Sequence, residues 1–310
     1  MTDTPETHVA TLVAAPGSDL LSDALIARVA QALPAAGASR RLDPAIAVDI
    51  TFRPAIEDAA DPDPRVMAKR VHVALDGLPV DVIVQRLADR RKRLFLADMD
   101  STMIGQECID ELADFVGLKD KVATITERAM RGEIAFEPAL RERVALLAGL
   151  DVGVVDRIIA ERITLTPGGG TLLATMRANG AYTCLVSGGF TLFTEKIAET
   201  IGFHENRANR LITEAGRLSG TVEEPILGRE AKLATLQELR EKLGLAAHEV
   251  VAIGDGANDL AMLGEAGLGV AFRAKPAVAA AAHARLDHAD LTALLFAQGY
   301  HSDEFTRRAD

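Results

Sequence analysis

Three short apolar runs constrain the fold most: RLFLAD (93–98), YTCLVSGG (182–189) and EVVAIGDG (249–256). Each is too short for a stable helix and ends on polar or glycine residues. Unbroken apolar runs of this kind predict strands covered on both faces, the pattern of a parallel sheet flanked by helices. Helical spacing between the runs predicts a doubly wound α/β sheet. In such a sheet ligands bind beyond the carboxyl ends of the strands, so the polar residues there are the first place to look for a site.

The stretch between the first two runs is longer than one crossover helix requires. Residues 105–165 contain CIDELADFVGL, KVATITERAM, FEPALRERVALLAGL and VGVVDRIIAERI, all with helical apolar spacing. This predicts a helical insertion lying over the strand ends as a cap, with Gly105 and the TLTPGGG segment (164–170) as flexible entries. GLGVAFRAKPAV (267–278) reads as one further strand and turn.

Residues 1–90 read as a separate small α+β unit, leaving 91–310 for the sheet and its cap. HVATLVAA (8–15) and AIAVDITF (45–52) have strand character, and LLSDALIARVAQAL (20–33) is helical. EDAADPDP (57–64) is a polar, proline-containing loop. RVHVAL (70–75) alternates as a strand, and PVDVIVQRLADRR (79–91) has the spacing of a helix. The expected order is therefore β-α-β-β-α, without a closing strand. The basic cluster RRKR (90–93) is expected to be a solvated seam between the two units.

Composition narrows the function classes. The net charge of -11 disfavours nonspecific attraction to nucleic acid or to an anionic membrane. No apolar run approaches the roughly 20 residues that span a bilayer, and the N-terminus lacks signal-peptide order. Two cysteines, Cys108 and Cys184, make neither a disulfide framework nor a zinc pair. These features predict a soluble cytoplasmic protein. An acidic protein with an anionic substrate also needs local positive charge, for which a metal ion is one source.

The polar residues at the strand ends form a series. DMDST (98–102) ends the first strand, VSGG (186–189) the second and GDGAND (254–259) the third, with Lys232 early in a helix between the last two. Singly, a DxD pair is a surface turn, Ser-Gly-Gly is a turn, GDGAND is a helix cap, and a lysine is solvated. Together they place carboxylates, a hydroxyl with flexible backbone donors, and an ammonium at one sheet edge. No P-loop or GxGxxG signature appears, so nucleotide use is not indicated.

This combination resembles the haloacid dehalogenase superfamily of phosphohydrolases, and DxDxT joined to GDGxND is specific to it. DMDSTMIGQECIDELA, RAMRGEIAFEPALRERVALL, VSGGF, ANRL and AIGDGANDLAML make residues 94–292 similar to its phosphoserine phosphatase branch. The resemblance implies a Rossmann-like core with a helical cap. Asp98 would be the nucleophile that forms an aspartyl-phosphate, and Asp100 the general acid and base. Ser187, Gly188, Gly189, Lys232 and Asn258 would bind phosphate. Mg²⁺ would be held by Asp98, Asp255, the backbone carbonyl of Asp100, and Asp259 through a water. Glu107 would take the ammonium of O-phospho-L-serine and Arg143 its carboxylate, with Met130 and Phe136 facing the substrate. The N-terminal unit resembles the small ACT or ferredoxin-like regulatory domains, which implies amino-acid sensing or a homodimer contact.

The expected activity is hydrolysis of O-phospho-L-serine in serine biosynthesis. A related phosphatase or phosphotransferase on another small phosphate ester is the alternative within enzymes. A serine-sensing regulatory protein is the alternative outside them, and the complete DMDST, Lys232 and GDGAND set argues against it.

Overall fold

The computed structural model describes residues 7–54, 63–130 and 133–308, apart from the Met130 side chain. Most of the polar loop expected at 57–64 lies outside the described residues.

The first unit runs β1 (His8–Ala14), α1 (Asp23–Ala32), β2 (Ser39–Asp43), β3 (Ala47–Phe52), α2 (Pro64–Leu75) and β4 (Val80–Arg86). Its sheet has the order β2-β3-β1-β4, with β1 antiparallel to both neighbours. The order β-α-β-β-α-β is therefore complete, and two sequence expectations are overturned. RVHVAL belongs to a helix, not a strand. Asp63 caps that helix, Pro64 fits its first turn, and Met67, Val71 and Leu75 bury one face at a spacing of four. The misleading alternation came from Val73, which is 81% exposed. VDVIVQR (Val80–Arg86), within the expected helix 79–91, is a strand. Val80, Val82 and Val84 face the helices of this unit, while Ile83 enters the core of the second unit. Burial on both faces hid the two-residue period.

The second unit begins at β5 (Leu94–Ala97) and continues through α3 (Cys108–Phe115), α4 (Lys119–Met130), α5 (Phe136–Ala145) and α6 (Val154–Glu161). Next come α7 (Gly169–Ala178), β6 (Tyr182–Phe190), α8 (Thr191–Ile201) and β7 (Glu205–Asn209). A hairpin of β8 (Leu211–Glu214) and β9 (Arg217–Val222) precedes α9 (Arg229–Lys242) and β10 (Val250–Gly254). The chain closes with α10 (Leu260–Glu265), β11 (Leu268–Phe272), α11 (Pro276–Ala281), β12 (Ala284–Leu286) and α12 (Ala293–Ala297). The strands form a parallel sheet in the order β12-β11-β10-β5-β6-β7. After β5 the chain builds β6 and β7 on one side, then crosses to build β10 to β12 on the other. This reversal opens a crevice between the ends of β5 and β10, where open α/β sheets bind ligands.

Helices α3 to α6 form the cap. Its two crossing segments pair as a short antiparallel clasp: Gly105 N–H donates to Thr164 O at 3.0 Å, and Thr166 N–H to Met103 O at 3.0 Å. The β8–β9 hairpin leaves the sheet and docks on the cap, with Gly149 N–H donating to Leu218 O at 2.8 Å.

The junction of the two units draws in Arg90 and Lys92, which corrects half of the solvated seam expected at 90–93; Arg91 and Arg93 are exposed as expected. The Arg90 guanidinium pairs with Asp49 at 2.7 Å and donates to the carbonyls of Phe296 and Ala297. Lys92 is 6% exposed and donates to the carbonyls of Asp89 and His248, both at 2.7 Å. Local charge density suggested solvation, but each cation has oxygens from elsewhere in the fold to pair with. Among the described residues no helix is long and apolar enough to cross a membrane.

Candidate active site

The backbone just past β5 separates the two neighbouring aspartates. Asp98 continues the strand direction, and its N–H donates to Ile253 O of β10 at 3.0 Å. Residues Met99–Met103 then make one wide turn, closed by Ile104 N–H donating to Met99 O at 3.1 Å. Ser101 adopts a left-handed φ of 54° within it. Met99 is fully buried in the core. The turn aims Asp98 at α9 and Asp100 at the cap, where Asp100 Oδ1 accepts the N–H of Cys108 at 3.1 Å.

Lys232 joins the strand ends. It sits in the first turns of α9 with no exposed surface, and its Nζ lies 2.8 Å from Asp98 Oδ1 and 2.7 Å from Asp259 Oδ1. Asp259 is also fully buried, and its Oδ2 accepts Gly256 N–H at 3.0 Å. Carboxylate oxygens of Asp98, Asp255 and Asp259 all lie within 4.8 Å of one another.

The second strand end carries a bulge. The register between β6 and β7 shifts between Val186 and Phe190, which frees Ser187, Gly188 and Gly189 from regular pairing. Gly189 N–H donates to Ser187 Oγ at 2.9 Å, so that donor is turned inward. A Cβ on Gly189 would come within 3.0 Å of Asp100 Oδ2 and of Ser187 Oγ, so glycine permits the approach of the two loops. Asn258 borders the same place, its Nδ2 4.0 Å from where a Gly188 Cβ would be.

The cap supplies the opposite wall. The Phe136 ring contacts both Gly188 and Gly228, about 3.5 Å from a Cβ position on either. Glu107 accepts a hydrogen bond from Ser101 Oγ at 2.6 Å. Arg143 donates to Thr126 Oγ1 and Ala139 O, both at 3.3 Å, and among the described residues no carboxylate pairs with it within 4 Å. The Met130 side chain lies outside the described residues. The structure thus gathers Asp98, Asp100, Ser187, Gly188, Gly189, Lys232, Asp255, Asn258 and Asp259 at one sheet edge. Glu107 and Phe136 border that edge, and Arg143 lies in the last turn of α5 in the cap.

Burial dominates the electrostatics. Burial and then the Asp259 carboxylate push the Asp98 carboxyl upward, and the Lys232 ammonium opposes them. Asp100 is pushed up to about 7 by burial and the Glu107 charge, against the Cys108 N–H. Asp255 is raised to about 6 by burial and the neighbouring carboxylates. Burial also raises Glu107, while the Ser101 hydroxyl opposes the rise. Desolvation lowers Arg143, which Asp110 and Glu107 partly offset. Lys232 is one buried ammonium facing the carboxylates of Asp98, Asp255 and Asp259. The residual negative charge and the all-oxygen donor set fit a hard divalent cation.

Sequence reasoning assigned no role to Asn209, which is 3% exposed. Its Nδ2 donates to Gly188 O at 2.9 Å and Leu227 O at 3.0 Å, and its Oδ1 accepts Leu227 N–H at 2.7 Å. The segment ANRL held the residue, but only the bulge opposite it reveals the function of the amide. Ser101, as the partner of Glu107, was likewise invisible before the turn geometry was known.

Residues 95–264 match the haloacid dehalogenase-like hydrolase family. A phosphoserine phosphatase of Streptomyces coelicolor is 43% identical over 242 residues, 78% of this chain. The chain spans 59% of that relative's length. A haloacid dehalogenase family hydrolase from Salmonella enterica serovar Typhi superposes with a TM-score of 0.82 at 26% identity, covering 96% of this chain and 99% of that one. A phosphoserine phosphatase solved as a phospho-aspartyl intermediate analogue gives a TM-score of 0.61 at 39% identity, covering 66% of this chain and 98% of that one.

Proposed function

The chain belongs to the haloacid dehalogenase-like hydrolases, and from that premise we propose that it hydrolyses O-phospho-L-serine to L-serine and inorganic phosphate in serine biosynthesis. The observation that carries the chemistry is the position of Lys232, whose ammonium holds Asp98 and Asp259 together in a buried crevice. Asp98 Oδ1 is engaged by Lys232 and by Met99 N–H, which leaves Oδ2 to attack phosphorus. Attack forms an aspartyl-phosphate and expels the serine oxygen. A covalent intermediate divides one high barrier into two lower ones. The relative solved as a phospho-aspartyl analogue supports this reading.

Asp100 lies on the far side of the turn and borders Ser187 and Gly189. With its pKa near 7 it holds a proton in a useful fraction of molecules, donates it to the leaving oxygen and then takes one from the hydrolytic water. Ser187, the Gly188 N–H, Lys232 and Asn258 are the donors for the equatorial phosphate oxygens. Because Gly189 N–H already serves Ser187 Oγ, we assign it to loop shape. Asp98, Asp255, the Asp100 carbonyl and Asp259 would hold Mg²⁺, Asp259 through a water. When bound, the ion offsets carboxylate repulsion and favours the ionised form of its ligands.

Specificity comes from the cap. Glu107 offers a carboxylate to the substrate ammonium, and Arg143, which no carboxylate among the described residues engages, offers its guanidinium to the substrate carboxylate. Phe136 closes over Gly188. Residues 1–90 form an ACT-like domain and 91–310 the phosphatase domain, in a cytoplasmic enzyme. Serine sensing or homodimer contact is the role assigned to the smaller domain.

A phosphate-release assay tests the whole reading. Release from O-phospho-L-serine is expected with Mg²⁺ and not after chelation. Release from an aryl phosphate alone would overturn the substrate, and release from neither would overturn the activity.

A further inference from the structure

The bulge at Ser187–Gly189 takes Gly188 out of the β6–β7 register, and a side chain from β7 bonds its carbonyl instead. Asn209 stands opposite Phe190, just past the bulge, and its amide reaches Gly188 O. The same amide holds both polar groups of the Leu227 backbone. Asn209 ends β7 and Leu227 precedes α9, so this side chain clamps the two ends of the excursion that carries the β8–β9 hairpin. All of its strong hydrogen-bonding groups in this environment serve that bridge, in a nearly dry setting where such bonds fix geometry.

The hairpin belongs mechanically to the cap. Leu218 N–H donates to Leu150 O at 2.8 Å, Val152 N–H to Gly216 O at 2.9 Å, and Arg217 Nη1 to Gly149 O at 2.7 Å. Arg141 on α5 pairs with Glu224 at 2.7 Å. A Cβ on Gly220, whose φ is +83°, would lie 2.8 Å from Ala148 Cβ, so the backbones themselves are close. The cap is thus tied to the sheet by the 104/165 clasp and also by the hairpin.

We infer that Asn209 is a positioning residue that couples cap placement to the shape of the phosphate loop, with the hairpin as the connecting lever. Motion of the cap moves the hairpin base, and the base is bonded through one amide to Gly188. A direct route also exists, because Phe136 touches Gly188, so a test must separate the two. The inference rests on Ser187–Gly189 being the phosphate loop, but it can be read without turnover.

Hydrogen exchange by mass spectrometry on the full-length chain supplies the test. Asn209→Ala is expected to speed exchange at 186–190 and at 211–222 by about tenfold or more, with β10 (250–254) unchanged. Its kcat/KM should fall on both O-phospho-L-serine and an aryl phosphate. An unchanged rate at either segment, or equal acceleration of β10, would overturn the coupling. Should Asn209→Ala fail to fold, the double variant Arg141→Ala, Arg217→Ala releases the hairpin's side-chain links from the cap. It should speed exchange at 186–190 even when Phe136→Ala is also present. No acceleration at 186–190 would overturn the proposal, and acceleration that disappears with Phe136→Ala would assign the coupling to the ring and overturn it as well.

Discussion

Asp81 Oδ2 accepts the backbone N–H of Ala289 at 2.7 Å, joining the last strand of the N-terminal sheet to the chain just after β12. The same carboxylate takes Asp287 N–H at 2.8 Å and His288 N–H at 3.1 Å. Asp81 is 2% exposed, so consecutive amides form a nest around a buried anion. Asp81→Ala would leave these donors without an acceptor. The expected loss is about 3 kcal/mol, the scale of several unsatisfied buried donors. Urea unfolding measures it. A loss under about 1 kcal/mol would mean that water replaces the carboxylate and that the two units are held together by other groups.

Asp98→Asn preserves shape and removes the nucleophile. Turnover should fall by on the order of 10⁶, the loss seen when a nucleophile is removed from a catalytic unit. The fold should stay intact, because the amide has the same shape and Lys232 keeps its pair with Asp259 at 2.7 Å when the Asp98 charge is removed. Phosphate release and thermal melting decide together. Appreciable turnover by the amide variant would exclude an aspartyl-phosphate at this residue.

The sheet was legible because its strands are buried on both faces and end in chemistry-bearing residues. The placing of Asp98 and Asp255 was legible for the same reason, because each directly follows a buried strand; Lys232, early in α9, was legible only as part of the series with DMDST and GDGAND. The N-terminal unit misled where burial came from the other domain. Ile83 and Asp81 face outward from their own small core, and only the docked partner makes β4 read as a strand. RRKR misled at Arg90 and Lys92 only: Asp49 neutralises Arg90 and the Phe296 and Ala297 carbonyls accept its hydrogen bonds, all far away in sequence. Short edge strands such as β12, at Ala284–Leu286, carry too few residues for any period to emerge. Asn209 stayed silent because its value depends on a bulge in another strand.

Arg143 and Glu107 should separate substrate recognition from phosphoryl transfer. Arg143→Ala is expected to lower kcat/KM on O-phospho-L-serine about 100-fold, the effect of removing one charge-assisted hydrogen-bonding partner. An aryl phosphate, which offers no amino-acid carboxylate, should be affected by about threefold at most. Glu107→Gln should show the same selectivity, with a weaker acceptor left for the Ser101 hydroxyl. Parallel kinetics on the two esters measure both. Equal losses on both would move these residues from specificity to general site architecture.

His283 supplies an acid-sensitive link in the sheet. Its Nδ1 accepts Gly269 N–H at 2.9 Å, which requires that nitrogen to be unprotonated. Burial, then the Arg65 charge, lower its pKa from 6.5; Asp63 opposes them and Lys92 reinforces them. Below pH 6.5 the unfolded chain therefore binds a proton that the folded chain resists, so stability rises with pH through this window. The contribution is intact above 6.5 and is lost as pH falls toward the lowered folded value. The slope from one such group is at most about 1.4 kcal/mol per pH unit, and solvent screening of the half-buried ring reduces it. His283→Asn keeps a neutral acceptor for Gly269 and should flatten this part of the curve. Urea midpoints at pH 7.5 and 5.5, wild type against variant, isolate the effect from the site carboxylates common to both. Identical pH dependence in the two proteins would show that His283 protonates as easily folded as unfolded.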